Sequence, residues 1–292
     1  MSLAPSDKRQ PGFTLIELLV ALGIFLVITG AAFSLLGTSQ KRYQTESQVL
    51  TSFQEARLGL DQIVRDVNDA GYPPPTYFDS SKPLLSVSWP FAWSPGYPNT
   101  DCQIATGGGG NCTTATAGDT APGDFDLIIE TNPNPQDPSC IPYCPVQWIR
   151  YQLQNTTPLP TLMRGVSSKV TGGGDPDAYT AGALVPFVQN IVNTQVVQNV
   201  TNPLVAQYQA AYPAIFPGGA PVPIFSYTCD NSSPPPQTVL CSAAVTDNSP
   251  EKIRDVMITL IVAAPLPDAT TGQPRLVMLN GRGRRINPNK YQ

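Results

Sequence analysis

The chain has 292 residues, of which 41% are hydrophobic and only 13% are charged, and its formal net charge is −4. This composition can form a packed core, whereas the negative charge excludes a uniformly basic surface for non-specific nucleic-acid binding. With 32 prolines, 23 glycines and no histidine, the sequence favours a loop-rich β domain over a helical enzyme.

The first predicted element is an apolar helix from Phe13 to Leu36, in which Glu17 is the only charged residue. At about 1.5 Å rise per residue, this segment is long enough to cross the hydrocarbon core of a bilayer. Lys8 and Arg9 precede it, so they are expected to stay in the cytoplasm while the rest of the chain lies outside. The small residue suited to cleavage, Gly12, lies before the apolar run, whereas a secretory signal has its cleavage site after it.

The segment Gly12-Phe13-Thr14-Leu15-Ile16-Glu17 resembles the class III signal of type IV pilins and type II secretion pseudopilins. In that family a prepilin peptidase cleaves after the glycine and methylates the new amine. The resemblance implies that residues 1–12 are a leader peptide, with cleavage between Gly12 and Phe13 and N-methylation of Phe13. It also implies that before assembly the protein crosses the bacterial inner membrane once, with its head outside the cytoplasm. After assembly it would lie in a periplasmic or cell-surface filament.

Glu17 admits two interpretations. A carboxylate inside an apolar span costs roughly 2–3 kcal/mol on insertion scales, and less near the helix end. Glu17 can therefore lie at the membrane interface and reach headgroups or water. The resemblance implies an assembly role instead, in which Glu17 pairs with the Phe13 amine of a neighbouring subunit. Both buried charges would then be compensated only on assembly.

Beyond the span, the helix is predicted to continue to residue 72 as an amphipathic segment. Apolar residues recur with helical period at Val49, Phe53, Ala56, Leu60, Ile63, Val67 and Ala70, with Leu50 and Val64 beside them. This stripe lasts only about three heptads, so we expect it to seat a globular head and not a coiled coil. Gly71 and the prolines at 73–75 predict where the helix ends. Residues 60–72 resemble the helix end of PilW-type minor pilins and J-type pseudopilins.

The remaining residues, 73–292, are predicted to form a β head with long insertions at 73–123 and 203–241. Alternating or β-branched runs predict strands at 84–89, 125–131, 146–154, 161–164, 253–263 and 275–279. Apolar residues on both faces make 253–263 a central strand with one face on the helix, and the type of 184–200 stays open. The fold class is therefore α+β, a long helix with a membrane-spanning half and an amphipathic half, packed on a loop-rich antiparallel sheet. This is also the layout of the type IV pilin fold.

Aromatic residues cluster within the first insertion. The four members are Trp89, Phe91, Trp93 and Tyr97. Such a cluster can form a carbohydrate or partner surface, but we favour packing under a long loop.

Six cysteines lie beyond the span, where an oxidising compartment permits disulfides. Their local spacing favours three pairs, namely Cys102 with Cys112, Cys140 with Cys144, and Cys229 with Cys241. A zinc site is the alternative, but the chain lacks histidine and any C-x-x-C pair. We therefore predict no metal and no cofactor.

The C-terminal tail is basic, since no acidic residue follows Asp268. Its cationic residues are Arg275, Arg282, Arg284, Arg285 and Lys290. We favour a solvated basic edge, and the alternative is a docking patch for an acidic neighbour or for DNA.

Two classes of function fit these observations. The first is a minor pilin or pseudopilin that assembles through its N-terminal helix, at or near the tip because the head is bulky. The second is a membrane-anchored module that recognises a sugar, a surface or DNA without polymerising. The partners implied by the resemblance are prepilin peptidase, other pilin-like subunits and the inner-membrane assembly machinery. We do not expect an enzyme, because the chain lacks histidine and the G-x-S-x-G, H-E-x-x-H and P-loop motifs.

Overall fold

The computed structural model of the chain describes residues 12–72, 87, 89–94, 97, 102–103, 111–112, 122–134, 145–170, 174–231, 237–241, 250–267 and 274–286. Its longest element is helix α1, Leu15–Asn68. The first half of α1 is exposed, and the helix is long and apolar enough to cross a membrane. Asp69 caps its C-terminus, and Gly71 follows with φ of +83°, which a residue with a Cβ rarely adopts. The predicted helix is therefore confirmed with slightly shorter ends.

The predicted apolar stripe is the face of α1 that the head covers. Five of its positions are buried, at Ala56, Leu60, Ile63, Val67 and Ala70. Val49, Phe53 and Val64 are half-buried. Including Leu50 in the stripe was wrong, because its side chain is 59% exposed and lies before the part of the helix that the head covers.

The described strands are short near the start of the head and longer towards its end. In chain order they are β1 (Phe91–Ala92), β2 (Cys102–Gln103), β3 (Asn111–Cys112), β4 (Asp126–Thr131), β5 (Gln147–Gln154), β6 (Thr161–Ser168), β7 (Val185–Val188), β8 (Val196–Val197), β9 (Val200–Thr201), β10 (Phe225–Asn231), β11 (Gln237–Leu240), β12 (Ile253–Pro267) and β13 (Pro274–Arg284). Two short helices accompany them, α2 (Pro176–Ala181) and α3 (Pro203–Ala211).

Within the described residues these strands form two main antiparallel sheets. The first sheet has the order β1-β4-β5-β6-β7, and the second has the order β11-β10-β12-β13. Helix α1 packs chiefly on β12 and β13 and also contacts β4 and β7. One core cluster joins the stripe of α1 to the inner faces of both sheets. Each large apolar side chain buried there contributes about 1.5–3 kcal/mol, so the helix and the head stabilise one another.

The strands predicted after the first insertion are confirmed. The strands predicted at 125–131, 146–154 and 253–263 correspond to β4, β5 and β12, and β12 is the central strand that contacts α1. The strand predicted at 161–164 is the beginning of the longer strand β6. The strand predicted at 275–279 lies within the longer strand β13. Residues 184–200 contain β7, β8 and the first residue of β9.

The boundaries of the insertions need correction. The second insertion, 203–241, ends in β10 and β11, which belong to the second sheet and not to a loop. The sequence analysis gave weight to the many prolines of this segment and overlooked the strand pattern beside them. Every second residue of β10 from Phe225 is buried, at Phe225, Tyr227 and Cys229. In the first insertion, residues 84–86 and 88 of the strand predicted at 84–89 lie outside the described residues, and Val87 and Trp89 are not in a strand.

Two glycines of β13 allow this strand to approach α1 closely. A Cβ atom at position 281 would lie 2.7 Å from Cδ1 of Leu60. At position 283 it would lie 2.5 Å from Cγ1 and 2.6 Å from Cβ of Val67. Real Cβ atoms essentially never come so close, so a side chain at either position forces its neighbours to shift. At position 283 one neighbour is Cβ of Val67, which moves only with the backbone of the helix.

Substitution Gly283→Ala is therefore expected to lower the free energy of unfolding of the head by about 1–3 kcal/mol, the usual cost of overpacking. The measurement is denaturant-induced unfolding of the full chain in detergent micelles. Gly182→Ala is the matched control, because nothing lies within 4 Å of a Cβ at position 182. Equal stability of the two variants would contradict the close packing of β13 on α1.

Candidate functional site: the N-terminal helix

A capping box closes the N-terminus of α1. The backbone N–H and the hydroxyl of Thr14 each donate a hydrogen bond to Oε2 of Glu17, both at 2.9 Å. The backbone N–H of Glu17 donates in return to Oγ1 of Thr14 at 3.3 Å. The T-x-x-E spacing is a known sequence signal for this motif, and our sequence analysis missed it. Glu17 therefore has a local structural role within one chain.

The predicted cleavage site lies directly before this capping box. Because the helix begins at Leu15, Gly12 and Phe13 lie before it in irregular backbone. Phe13 is 89% exposed, and nothing lies within 4 Å of a Cβ at Gly12. The peptide bond between Gly12 and Phe13 therefore lies outside the helix, next to an exposed side chain.

The N-terminal half of α1, which is long and apolar enough to span a membrane, presents a continuous apolar surface. Its large exposed side chains are Leu15, Ile16, Leu18, Leu19, Val20, Leu22, Ile24, Phe25, Leu26, Val27, Ile28, Phe33, Leu35 and Leu36. An exposed apolar surface of this extent indicates contact with a membrane or with other proteins.

A buried ionic cluster joins the C-terminal half of α1 to the first sheet. The carboxylate of Asp66 accepts hydrogen bonds from the hydroxyl of Tyr151 at 2.6 Å and from Nη2 of Arg164 at 2.9 Å. Gln62 donates to the same carboxylate at 2.8 Å from within the helix. Asp66 is only 5% exposed, so this cluster of Asp66, Tyr151 and Arg164 fixes the position of the helix on the sheet.

The surroundings of Tyr151 in this cluster keep its hydroxyl protonated. Burial, and then the negative charge of Asp66, raise the pKa of Tyr151, so its hydroxyl stays protonated and donates.

The sequence analysis missed Asp66, although an acid within the apolar stripe, three residues after Ile63, is a recognisable signal. Its partners come from strands 85 and 98 residues away and could not be read from local patterns.

Further ion pairs hold the first sheet together. Arg150 binds Asp126 at 2.7 Å and also binds Asp177, while Lys169 binds the buried Glu130 at 2.5 Å. Burial raises the pKa of Asp126 although Arg150 opposes this effect. In the part of the chain that the structure describes, no group of three or more His, Cys, Asp or Glu side chains is arranged to hold a metal ion.

The aromatic cluster of the first insertion packs in the interior. Trp93 and Tyr97 are buried with Trp148, and the rings of Trp93 and Tyr97 meet edge to face at 5.1 Å. Phe91 is also buried, in the main core, and Trp89 is partly buried against Trp93. Packing explains these positions better than a carbohydrate surface does.

A disulfide joins Cys229 on β10 to Cys241, directly after β11, with the two Cα atoms 5.1 Å apart. This is the pairing that the spacing predicts. Cys102 and Cys112 are opposite one another in the β2–β3 ladder, but their side chains lie outside the described residues. Cys140 and Cys144 lie wholly outside them.

Removal of this disulfide is expected to destabilise the second sheet. The bond closes a loop with a sequence separation of 12, for which chain entropy gives about 3 kcal/mol. The double substitution Cys229→Ser with Cys241→Ser should lower the free energy of unfolding by roughly that amount, measured with chemical denaturant. Peptide mapping without reducing agent should recover the two cysteines in one linked fragment, and free thiols at both positions would refute the pairing.

The predicted basic residues of the tail do not form one free patch. Arg275 binds Glu46 of α1 at 2.9 Å, and Arg282 binds the buried Asp255 at 2.7 Å. Nε of Arg284 lies 4.0 Å from the same carboxylate. The backbone N–H of Arg285 donates to the carbonyl of Arg254 at 3.0 Å, and Lys290 lies outside the described residues.

Residues 7–33 match the family model of the prokaryotic N-terminal methylation motif. The motif is the signature of type IV pilins and pseudopilins, and it confirms the resemblance found in the sequence. It covers Gly12, Phe13, Glu17 and most of the apolar half of α1. Comparison with curated proteins and with solved structures gave no match. The motif indicates a structural subunit, and together with the apolar helix it fits membrane anchoring.

Proposed function

We propose that this chain is a minor subunit of a type IV pilus or a type II secretion pseudopilus, assembled through α1. The observation that carries this proposal is the coincidence of the methylation motif with an exposed apolar helix in a single segment. A globular head seated on the far half of that helix completes the architecture of such a subunit.

Processing is the first step of the proposed function. Prepilin peptidase cleaves between Gly12 and Phe13, which removes residues 1–12 and leaves the apolar helix on the mature chain. The open, non-helical bond at this point supports access by the peptidase. Methylation of the Phe13 amine then follows, and the amine keeps its positive charge.

Membrane insertion places the head outside the cytoplasm. Lys8 and Arg9 favour the cytoplasmic side for the N-terminus. The disulfide between Cys229 and Cys241 supports an oxidising compartment for the head. Arg275 contacts the helix at Glu46, ten residues beyond Leu36, so the head begins about 15 Å above the span.

Assembly brings Glu17 to the Phe13 amine of a neighbouring subunit. Both capping hydrogen bonds use Oε2 of Glu17, and Oε1 has no partner among the described residues. One carboxylate can therefore cap its own helix and accept the charged amine of a neighbour at the same time. This pairing supports assembly because each buried charge is compensated only in the filament.

The shape of the head supports a position at or near the tip. Two antiparallel sheets pack on the upper half of α1, so the head is bulky for a shaft subunit that is surrounded by copies of itself. A low-copy subunit at the tip meets no such restriction. The membrane-anchored binding module is the competing function, and it differs by remaining outside filaments.

Fractionation of the native host separates these two functions. The processed chain is expected in sheared filaments that have been freed of membrane, and it should be missing from them in a strain without prepilin peptidase. Recovery of the processed chain only in membranes, while the host still assembles filaments, would contradict a filament subunit and favour the membrane-anchored module.

A further inference from the structure

Strand β13 is the edge strand of the second sheet, and no other described strand pairs with its outer side. It is the last strand in the order β11-β10-β12-β13. The backbone N–H of Arg284 turns away from β12 and donates to Oδ1 of Asn68 at 2.8 Å. Alternate residues of an antiparallel strand point the same way, so the backbone groups of Leu276, Met278, Asn280 and Arg282 also face away from β12.

The backbone N–H and C=O groups of Leu276, Met278, Asn280 and Arg282 make no hydrogen bond with any described residue. The open stretch spans about 20 Å at the usual rise of a strand. Its pairing with β12 is regular from Leu276 to Arg284, and no proline interrupts it. Proteins commonly blunt such edges with bulges, prolines, short strands or charged side chains, and of these devices the stretch has only the charge of Arg282.

The side chains of β13 indicate the charge of a partner. The strand carries Arg275, Arg282 and Arg284 and no acidic residue. Arg282 and Arg284 are 56% and 58% exposed, and they share the carboxylate of Asp255, so one positive charge is left in excess. Met278 lies between Arg275 and Arg282 along the strand, and it is 51% exposed. Arginine and methionine are enriched at protein interfaces, and this edge therefore suits an acidic protein segment.

The edge formed by β13 also lies beside α1, the helix through which the chain is proposed to assemble into filaments. Arg275 contacts Glu46 at one end of β13, and Arg284 contacts Asn68 at the other. The strand and α1 therefore run side by side in the same direction. Neighbouring subunits packed around α1 come close to this edge.

We propose that the edge of β13 binds an extended, acidic segment of another pilin-like subunit as an added strand. The choice of a neighbouring subunit rests on the proposed function, whereas the open edge does not. A second copy of β13 is a poor occupant, because two strands that each carry three arginines repel one another. Main-chain hydrogen bonds supply the affinity in such strand addition, and the charges supply the specificity.

The first test uses the full chain in non-ionic detergent and a capped seven-residue peptide that alternates threonine or valine with glutamate. A matched peptide has lysine in place of glutamate. The acidic peptide is expected to bind about tenfold more tightly than the lysine peptide, measured by fluorescence anisotropy. On binding, the amides of Met278 and Asn280 should become protected from hydrogen exchange.

Substitution Met278→Pro removes an outward N–H and no ladder hydrogen bond, so the head should still fold. This variant is expected to weaken binding of the acidic peptide about tenfold, whereas Met278→Ser keeps the N–H and should change it less than about twofold. Equal binding of both peptides, equal binding by both variants, or no binding would overturn the proposal. Amides of Met278 and Asn280 that are already protected in the free protein would also overturn it, because the edge would then be occupied by the same chain.

The second test identifies the partner in the native host. A photoreactive amino acid at Met278 is expected to cross-link to an acidic segment of another filament subunit, whereas the same probe at Met257 on the central strand β12 should not. Cross-links to a second copy, or none in assembled filaments, would overturn the strand addition while leaving the filament function intact. If the chain itself is absent from filaments, that result contradicts the proposed function. The peptide test does not depend on filaments, so it still shows whether the edge of β13 binds an acidic strand.

Discussion

Substitution Glu17→Gln is expected to remove the chain from filaments while leaving it processed and resident in the membrane. Glutamine can replace glutamate in the capping box, so α1 should begin at the same residue. It carries no charge, however, and the Phe13 amine of the neighbour would be buried without a counter-ion. Breaking a buried pair in this way costs about 3–5 kcal/mol, which lowers incorporation by a factor of 100 or more at about 1.4 kcal/mol per tenfold change.

The measurement is the amount of each variant in sheared filaments relative to its amount in membranes. Glu17→Val removes both the charge and the cap, and it is expected to assemble as poorly as Glu17→Gln. Thr14→Ala is the matched control, because it removes the cap at a cost of about 1 kcal/mol and keeps the charge. If Thr14→Ala fails and Glu17→Gln assembles normally, Glu17 acts through its helix cap and not as an assembly contact.

Substitution Asp66→Ala is expected to cause a large loss of stability in the head. Asp66 is the carboxylate on which Tyr151 and Arg164 converge, and it holds α1 against the first sheet. Its removal leaves a buried hydroxyl and a partly buried guanidinium without their acceptor. We expect the free energy of unfolding to fall by about 3 kcal/mol, the lower end for a broken buried pair because Arg164 is partly exposed.

Denaturant-induced unfolding of the full chain in detergent measures this effect. Asp61→Ala is the matched control, since Asp61 is an exposed acid on the same helix and its loss should change stability by less than about 0.5 kcal/mol. Similar values for the two variants would show that the cluster of Asp66, Tyr151 and Arg164 does not fasten the helix to the head.

Features set by local periodicity could be predicted from the sequence. The apolar run and the stripe through Ala56, Ile63 and Val67 determine α1, and they also identify the face that the head covers. The two-sided apolar run at 253–263 likewise determines a central strand. Each of these signals lies within one segment, so no knowledge of distant contacts is needed.

Features set by long-range contacts could not be predicted in this way. The pairing of Asp66 with Tyr151 and Arg164 depends on how the first sheet meets the helix. The close approach at Gly283 appears only once β13 lies on Val67. The basic tail is a further example. The sequence around Arg282 and Arg284 contains no acidic residue, but in the fold both side chains lie within 4.0 Å of the carboxylate of Asp255.

The central claim is that a membrane precursor is cut before its apolar helix and then assembles. Intact-mass spectrometry of the chain recovered from the filaments of its host tests this claim most directly. We expect a mature chain that begins at Phe13 and carries one additional methyl group on its amine. A mature chain that begins elsewhere, or one that retains residues 1–12 in the filament, would contradict it.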